Sequence, residues 1–258
     1  MNKIIMIITM TFLILPIISM IIWSFFSYWS VNELLPKYFT LKGFLYFFKS
    51  GDWLVAFNTV IFSLIVAFIS LVLSIMLSRF FIKSKFKYKL QLESLFYLPM
   101  LLPVVSVSIG SHKMFLNVLS NFGWLIIIIL HIYFSLPYCF KIVYSCYAIW
   151  GIEEEQVARG LGASKFEAFY LINVPIYLKG YVSSFIMAFI ISYSQYFINF
   201  FIGDAKFVNF SMIMSPYIIG SNRNISSVYT LMYIVFGVIV MLICSYVEKM
   251  NNNRGNVL

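Results

Sequence analysis

The chain has 258 residues, of which 62% are hydrophobic and 10% are charged, and its formal net charge at pH 7 is +9. A soluble globular domain has roughly 25% charged residues, so the composition excludes an ordinary water-soluble enzyme or binding module. Membrane lipid is therefore the expected surrounding. The positive charge does not require nucleic acid as a partner, because Lys and Arg concentrate in the cytoplasmic loops of membrane proteins.

Six apolar stretches are long enough to cross a membrane as helices. A helix needs about 20 apolar residues to cross a hydrocarbon core of roughly 30 Å. None of the stretches alternates apolar and polar residues, as the strands of a membrane barrel do. The sequence therefore predicts an all-α polytopic membrane protein, with spans at 4–27, 53–78, 93–116, 124–147, 181–202 and 226–247.

The distribution of basic residues predicts the orientation of these spans. With a cytoplasmic N-terminus, eleven Lys and Arg residues fall in cytoplasmic segments and five in external loops. Because cytoplasmic loops are enriched in Lys and Arg, we expect both termini in the cytoplasm. The first span has no small-residue cleavage pattern, so we interpret it as a retained anchor and not as a signal peptide.

The cytoplasmic segment 148–180, between spans four and five, has the only dense acidic cluster of the chain, which is Glu153, Glu154 and Glu155. Acidic side chains in the first turn of a helix are stabilised by the helix dipole, so a short helix is expected to begin here. Gly160 and Gly162 follow, and glycine suits the end of a helix or a sharp turn.

A second helix is expected directly after these glycines. Ser164 and Glu167 have the spacing of a capping box, in which each side chain accepts a hydrogen bond from the other residue's backbone amide. Pro175 is expected to loosen this helix and to turn the chain toward span five.

The segment from Gln156 to Pro175 resembles the cytoplasmic loop of binding-protein-dependent ABC importer permeases. The signature of that family runs Glu-Ala-Ala, three residues, Gly, nine residues, Ile, any residue, Leu-Pro. The matching positions of this chain are Gln156, Val157, Ala158, Gly162, Ile172, Val174 and Pro175. Three of them depart from the signature: Gln156 replaces Glu, although Glu155 precedes it, Val157 replaces Ala, and Val174 replaces Leu.

The resemblance extends over about 53–247 and is strongest to the type I importer branch that includes polyamine and iron(III) importers. It includes the pairs Asn58-Thr59, Leu98-Pro99, Leu102-Pro103 and Leu136-Pro137. In span five, Ser194 and Gln195 occupy the place where polyamine permeases commonly have an acidic pair. Their lack of charge argues against a polycation as substrate.

The resemblance implies a permease subunit of an ATP-driven importer. It implies two ABC ATPase subunits in the cytoplasm, a second permease that is a copy of this chain or a different one, and an extracytoplasmic solute-binding protein. ATP would be used by the ATPase, and no cofactor or metal is expected on this chain. The implied organisation is an anchor and external loop at 1–52, a permease domain at 53–250 and a cytoplasmic tail at 251–258.

Residues of the loop expected to couple to the ATPase are Glu155, Gln156, Val157, Ala158, Gly162, Ser164, Ile172 and Pro175. In the family, closure of the ATPase pushes on the short helix of this loop and switches the access of the pore. A capped helix, a glycine turn and a proline exit would give this loop two rigid pieces.

Polar residues of span five form a candidate translocation path. Ser192, Gln195 and Asn199 have the spacing of one helical stripe, and polar groups that face lipid are costly. The stripe should therefore face either a water-filled path or a neighbouring helix. His131 in span four has no nearby carboxylate or second metal ligand in the sequence, so we interpret it as an interfacial or helix–helix hydrogen-bonding residue.

Catalytic motifs are not found in the sequence. It contains neither a Gly-x-Ser-x-Gly elbow nor a phosphate-binding Gly-Lys-Ser/Thr loop, so we expect that the chain is not an enzyme and has no catalytic residues. The competing interpretation is a self-sufficient secondary transporter or channel. Such a protein usually carries intramembrane carboxylates or a recognisable filter, and the sequence shows neither.

Overall fold

The computed structural model describes residues 2–27, 36–116, 123–203, 207–220 and 222–255. The described helices are α1 (Asn2–Phe25), α2 (Lys42–Lys49), α3 (Asp52–Lys83), α4 (Lys89–Phe96), α5 (Leu98–Leu101), α6 (Val104–Leu116), α7 (Gly123–Trp150), α8 (Glu153–Gly160), α9 (Lys165–Ala168), α10 (Val174–Tyr193), α11 (Phe197–Ile202), α12 (Phe210–Ile219) and α13 (Arg223–Gly255). Residues 28–35 of the predicted external loop and 256–258 of the predicted tail lie outside the described part. The predicted all-α polytopic fold class is confirmed.

The long apolar helices agree with the predicted number of spans. Within the described residues, five helices are long and apolar enough to cross a membrane, and a bent pair of shorter helices makes a sixth. The five are α1, α3, α7, α13 and the continuous helical stretch Lys165–Tyr193. The chain is accordingly a multi-pass membrane protein.

The third predicted span, 93–116, is not one straight helix. Its two parts, Lys89–Leu101 and Val104–His112, meet at an angle of 89°. Leu102, between them, has an extended backbone with a ψ of 131°. A proline disfavours the helical conformation of the residue before it, so Pro103 accounts for the break.

The fifth predicted span has different ends from those expected. A single helical stretch runs from Lys165 through α9, a π-helical turn at Phe169–Asn173 and α10. Pro175 lies in the first turn of α10, where a proline needs no backbone N–H donor. The prediction that Pro175 turns the chain is therefore wrong. The stretch ends at Tyr193 and is followed by the separate helix α11, so the predicted continuous span 181–202 is also wrong.

The chain divides into two compact units, and α3 and α13 contribute residues to both. One unit is formed by Met1–Thr59 with Val208–Val238, and the other by Val60–Phe207 with Ile239–Leu258.

The first unit has a core of aromatic and small apolar side chains, namely Phe47, Ala56, Phe210, Val228 and Tyr229. The backbone amide of Phe210 donates to Thr59 Oγ1 at 2.9 Å. The apolar stretch of α1 is exposed from Ile5 to Ile18. Its C-terminal end is held by Asn224, whose Nδ2 lies 3.0 to 3.1 Å from the carbonyl oxygens of Trp23, Ser24 and Phe26.

The second unit is organised by the packing of α10 and α11 against α7. Its apolar cluster joins α7 and α11 through Ile126, Ile127, Leu130, Phe134, Ile198 and Ile202. Close approach of α10 depends on Gly180, because a Cβ atom there would lie 2.5 Å from Cys146 Sγ. Small residues at such contacts are typical of helix packing in membranes.

Candidate functional site

The short acidic helix predicted between spans four and five is confirmed as α8, which begins at Glu153 and ends at Gly160. Its first turn contains the three glutamates and its last turn contains Arg159. Both placements complement the helix dipole, which favours anions at the N-terminus and cations at the C-terminus.

Gly162 ends this helix with a left-handed turn. Its φ is +102°, a conformation that glycine adopts without the steric penalty of a Cβ atom. The amide of Ala163 donates to Ala158 O at 3.0 Å, and the amide of Gly162 donates to Arg159 O at 3.1 Å. These two bonds form a Schellman motif, which satisfies the last carbonyls of α8 and fixes the direction in which the chain leaves.

The capping box predicted at the start of the next helix is confirmed. The amide of Glu167 donates to Ser164 Oγ at 3.2 Å, and the amide of Ser164 donates to Glu167 Oε2 at 2.9 Å. Only Ala163 separates this box from the Gly162 turn. Two adjacent local motifs therefore define the angle between α8 and α9.

Glu155 connects α8 to the membrane helices. Its side chain is buried, with 4% of the residue exposed, and its Oε1 lies 2.5 Å from Arg79 Nη2 in α3. Its other oxygen, Oε2, accepts a hydrogen bond from Asn173 Nδ2 at 3.3 Å. The Arg79 guanidinium also lies over the ring of Phe169, 5.1 Å from the ring centre. Gln156, the residue at the family Glu position, is exposed.

Asn173 extends this polar cluster to two tyrosines. Its Oδ1 lies 2.9 Å from the hydroxyl of Tyr147 in α7 and 2.5 Å from that of Tyr181 in α10. The two hydroxyls lie 2.5 Å from each other. Each tyrosine hydroxyl has a single proton to donate. The two hydroxyl protons are therefore shared among three contacts, two with Asn173 Oδ1 and one between the hydroxyls. The nearby Tyr177 makes a separate hydrogen bond, in which its hydroxyl donates to Gly151 O.

The sequence did not predict this cluster. Arg79 was expected only as one of the eleven cytoplasmic basic residues. Glu155 was expected in the acidic cluster and in the loop that couples to the ATPase, but no contact between the two residues was predicted. The partners are separated by 76 positions in the case of Arg79 and Glu155, and by 26 positions in the case of Tyr147 and Asn173. Contacts over such sequence separations leave no local pattern in the sequence, because they depend on how the helices pack.

The outer surface of this region exposes several large apolar side chains beside its charged residues. The large side chains concerned are those of Val157, Leu161, Phe166 and Tyr170, and Leu161 is 85% exposed. Ala158 and Ile172 are partly buried, and Pro175 is exposed. Grouped exposed apolar side chains commonly mark a site of interaction.

The three polar residues predicted to share a stripe in span five are all buried, although the helix is interrupted between them. Ser192 belongs to α10, Gln195 lies in the turn after it, and Asn199 belongs to α11. His131 of α7 contacts two of them, since its Nδ1 lies 2.9 Å from Ser192 Oγ and its Nε2 lies 2.8 Å from Asn199 Oδ1. The helix–helix hydrogen-bonding interpretation of His131 is thus confirmed.

These features define an all-α membrane protein in which a short helix, α8, lies between two membrane-spanning helices and is bonded through Glu155 to Arg79 and Asn173. Residues 70–251 match the family described as binding-protein-dependent transport system inner membrane component. The match covers more than half of the chain, so the chain belongs to this family. The matched range includes α8, the Gly162 turn, the capping box and Arg79, the ion-pair partner of Glu155. Transport of this kind involves ATPase and solute-binding partners in general.

A curated relative gives a more specific comparison. The chain is 21% identical over 170 residues to the spermidine/putrescine transport system permease protein PotC of Haemophilus influenzae. The alignment covers 66% of this chain and 66% of the relative, which is just under two thirds of the relative's length. This similarity agrees with the polyamine-like branch indicated by the sequence.

Proposed function

We propose that this chain is the permease subunit of an ATP-driven importer and that α8 couples it to a partner ATPase. The observation that carries the proposal is the asymmetry of α8. Its N-terminal part is fixed to the membrane helices by the buried Glu155, whereas Val157 and Leu161 are exposed. A helix that is bonded to the membrane helices at one face and exposed at another can bind a partner and transmit the partner's movement.

The exposed apolar side chains suit a docking surface for the ATPase. Apolar and aromatic residues are enriched at the centres of protein interfaces. Val157 and Leu161 supply exposed apolar side chains outside the spans, and Phe166 adds one at the start of the stretch Lys165–Tyr193. The Schellman motif and the capping box keep α8 and α9 at a defined angle. A push on this surface is therefore transmitted as a rigid-body movement and is not absorbed by a flexible loop.

The proposed assembly follows from this role. Two ATPase subunits bind in the cytoplasm, a second permease completes the membrane part, and an external binding protein delivers the solute. The orientation proposed from the Lys and Arg asymmetry places α8 and both termini in the cytoplasm. In the family, selectivity resides largely in the binding protein, and Ser192, Gln195 and Asn199 are proposed to line the path that the solute then takes.

Co-purification tests the proposed coupling surface. A tagged chain should retain an ABC ATPase through mild detergent extraction, and Leu161→Asp should lose it, because a charge replaces an apolar contact. The matched control is Ile219→Asp at the end of α12, since Ile219 is 84% exposed but lies in a predicted external segment. Failure of the unmodified chain to retain an ATPase, together with uptake driven by an ion gradient alone, would instead support a secondary transporter.

A further inference from the structure

One carboxylate connects α8 to three membrane helices. Of the three adjacent glutamates of α8, Glu153 and Glu154 are exposed and Glu155 is buried. Its two oxygens have different partners, Arg79 in α3 and Asn173 just before α10. Through Asn173 the same cluster reaches Tyr147 in α7. A displacement of α8 would therefore act on this carboxylate and through it on its partners.

The arrangement is better suited to fixing geometry than to adding stability. Withdrawing two charges from water offsets most of their attraction, so a buried ion pair often contributes little to stability. Within the described residues, Arg79 Nη1 is also buried without a hydrogen-bond partner, and a buried donor without an acceptor is unfavourable. A planar guanidinium that meets a carboxylate does, however, define both the distance and the orientation between two helices.

We propose that Arg79 and Glu155, with Asn173 as the third member, form the joint that makes α8 move together with α3 and α10 when the ATPase acts on α8. The three are positioning residues, because they contact neither solute nor ATP in this role. This inference rests on the proposed function of α8. It adds that a force on α8 is passed to two particular membrane helices, α3 and α10.

Nucleotide-dependent distances between spin labels test the joint. One label is placed at Glu154 in α8 and one at Phe80 in α3, two exposed positions adjacent to the paired residues. The native cysteines, Cys139, Cys146 and Cys244, are first replaced. The full chain, purified with its ATPase and reconstituted in lipid nanodiscs, is measured without nucleotide and with ATP and vanadate.

In the otherwise unchanged protein, the distance between the two labels should be the same in both nucleotide states, because the joint keeps α8 and α3 together. In Glu155→Gln the carboxylate charge is lost, and the distance should change between the states by about 2 Å or more, the scale of helix shifts in known transitions. Glu153→Gln removes a charge from the same helix turn at an exposed position and should behave like the unchanged protein.

The outcomes separate the two proposals. An unchanged distance in Glu155→Gln would overturn the joint, and so would a nucleotide-dependent distance in the unchanged protein. Loss of the ATPase from the unchanged protein would overturn the proposed function of α8 instead. If Glu155→Gln does not assemble, Arg79→Lys provides the same comparison, because lysine keeps the charge but lacks the planar fork that fixes the orientation.

Discussion

Nε2 of His131 lies 2.8 Å from Oδ1 of Asn199, and Nδ1 of the same ring lies 2.9 Å from Oγ of Ser192. The amide nitrogen of Asn199 donates to Phe207 O at 3.3 Å, which orients Oδ1 toward the ring. Because Oδ1 can only accept, Nε2 carries a proton, and a neutral ring then accepts at Nδ1 from Ser192. One side chain of α7 thus joins α10 and α11 on either side of the interruption.

Replacing His131 with Leu should destabilise the protein, because it removes the ring partner of Ser192 and of Asn199. A buried polar group left without a partner costs about 1–3 kcal/mol. Thermal unfolding in detergent measures the effect. Ser194→Ala is the matched control, since Ser194 is exposed and its Oγ donates only to the nearby Ile191 O in the last turn of α10. An equal unfolding temperature for the two variants would show that the His131 contacts contribute nothing.

Gln195→Leu tests whether the interrupted part of span five belongs to the translocation path. Gln195 is buried in the turn between α10 and α11, so leucine should be accommodated while a polar group of the path is lost. We expect lower uptake of the solute delivered by the binding protein, with unchanged recovery of the assembled complex. Normal uptake would favour packing as the role of this residue.

Gly162→Val should uncouple ATP hydrolysis from transport. A side chain at a φ of +102° is strained by on the order of 1 kcal/mol, and relief of that strain would change the angle between α8 and α9. Gly160→Val is the control. At both glycines an added Cβ atom would have no neighbour within 4 Å, but only Gly162 has a positive φ. Uptake and ATP hydrolysis are measured together in vesicles. Full solute-stimulated transport by the Gly162 variant would contradict the coupling role proposed for α8.

Gln156→Glu should be tolerated. The side chain of Gln156 is exposed, so the added charge is solvated and lies on the helix turn whose dipole favours an anion. Co-purification of the ATPase and its rate of ATP hydrolysis should both match those of the unmodified chain. Loss of the ATPase from this variant would mean that the docking surface requires a neutral residue at this position.

Cysteine labelling tests the predicted orientation. Asn209 lies in the loop predicted to be external, but it is buried and caps α12 by accepting from the amide of Met212, so Ile219 is the better position. In a background without native cysteines, an impermeant maleimide should label Ile219→Cys in intact cells. Glu154→Cys should react only after permeabilisation. The reverse pattern would place α8 outside and would also remove the basis for ATPase coupling.

The sequence by itself determined the features that depend on neighbouring residues. Apolar length predicted the number of membrane spans, and the acidic cluster at Glu153 predicted the start of α8. The glycine turn that ends α8 and the capping box of Ser164 with Glu167 were also predicted correctly. Each is decided within a few residues by backbone sterics or by a side chain that reaches the adjacent amide.

Only the tertiary structure decided which distant residues meet. Span five is interrupted at 194–196 without a proline or glycine in the turn, so no local signal indicated the end of α10 at Tyr193. Glu155 meets Arg79 across 76 positions, and His131 meets Asn199 across 68. A buried polar group requires a partner, but its own sequence does not say which one. The packing of the helices brings the partner into reach. It places Arg79 beside the buried Glu155, so that Glu155, and not the exposed Gln156, bonds α8 to the membrane helices.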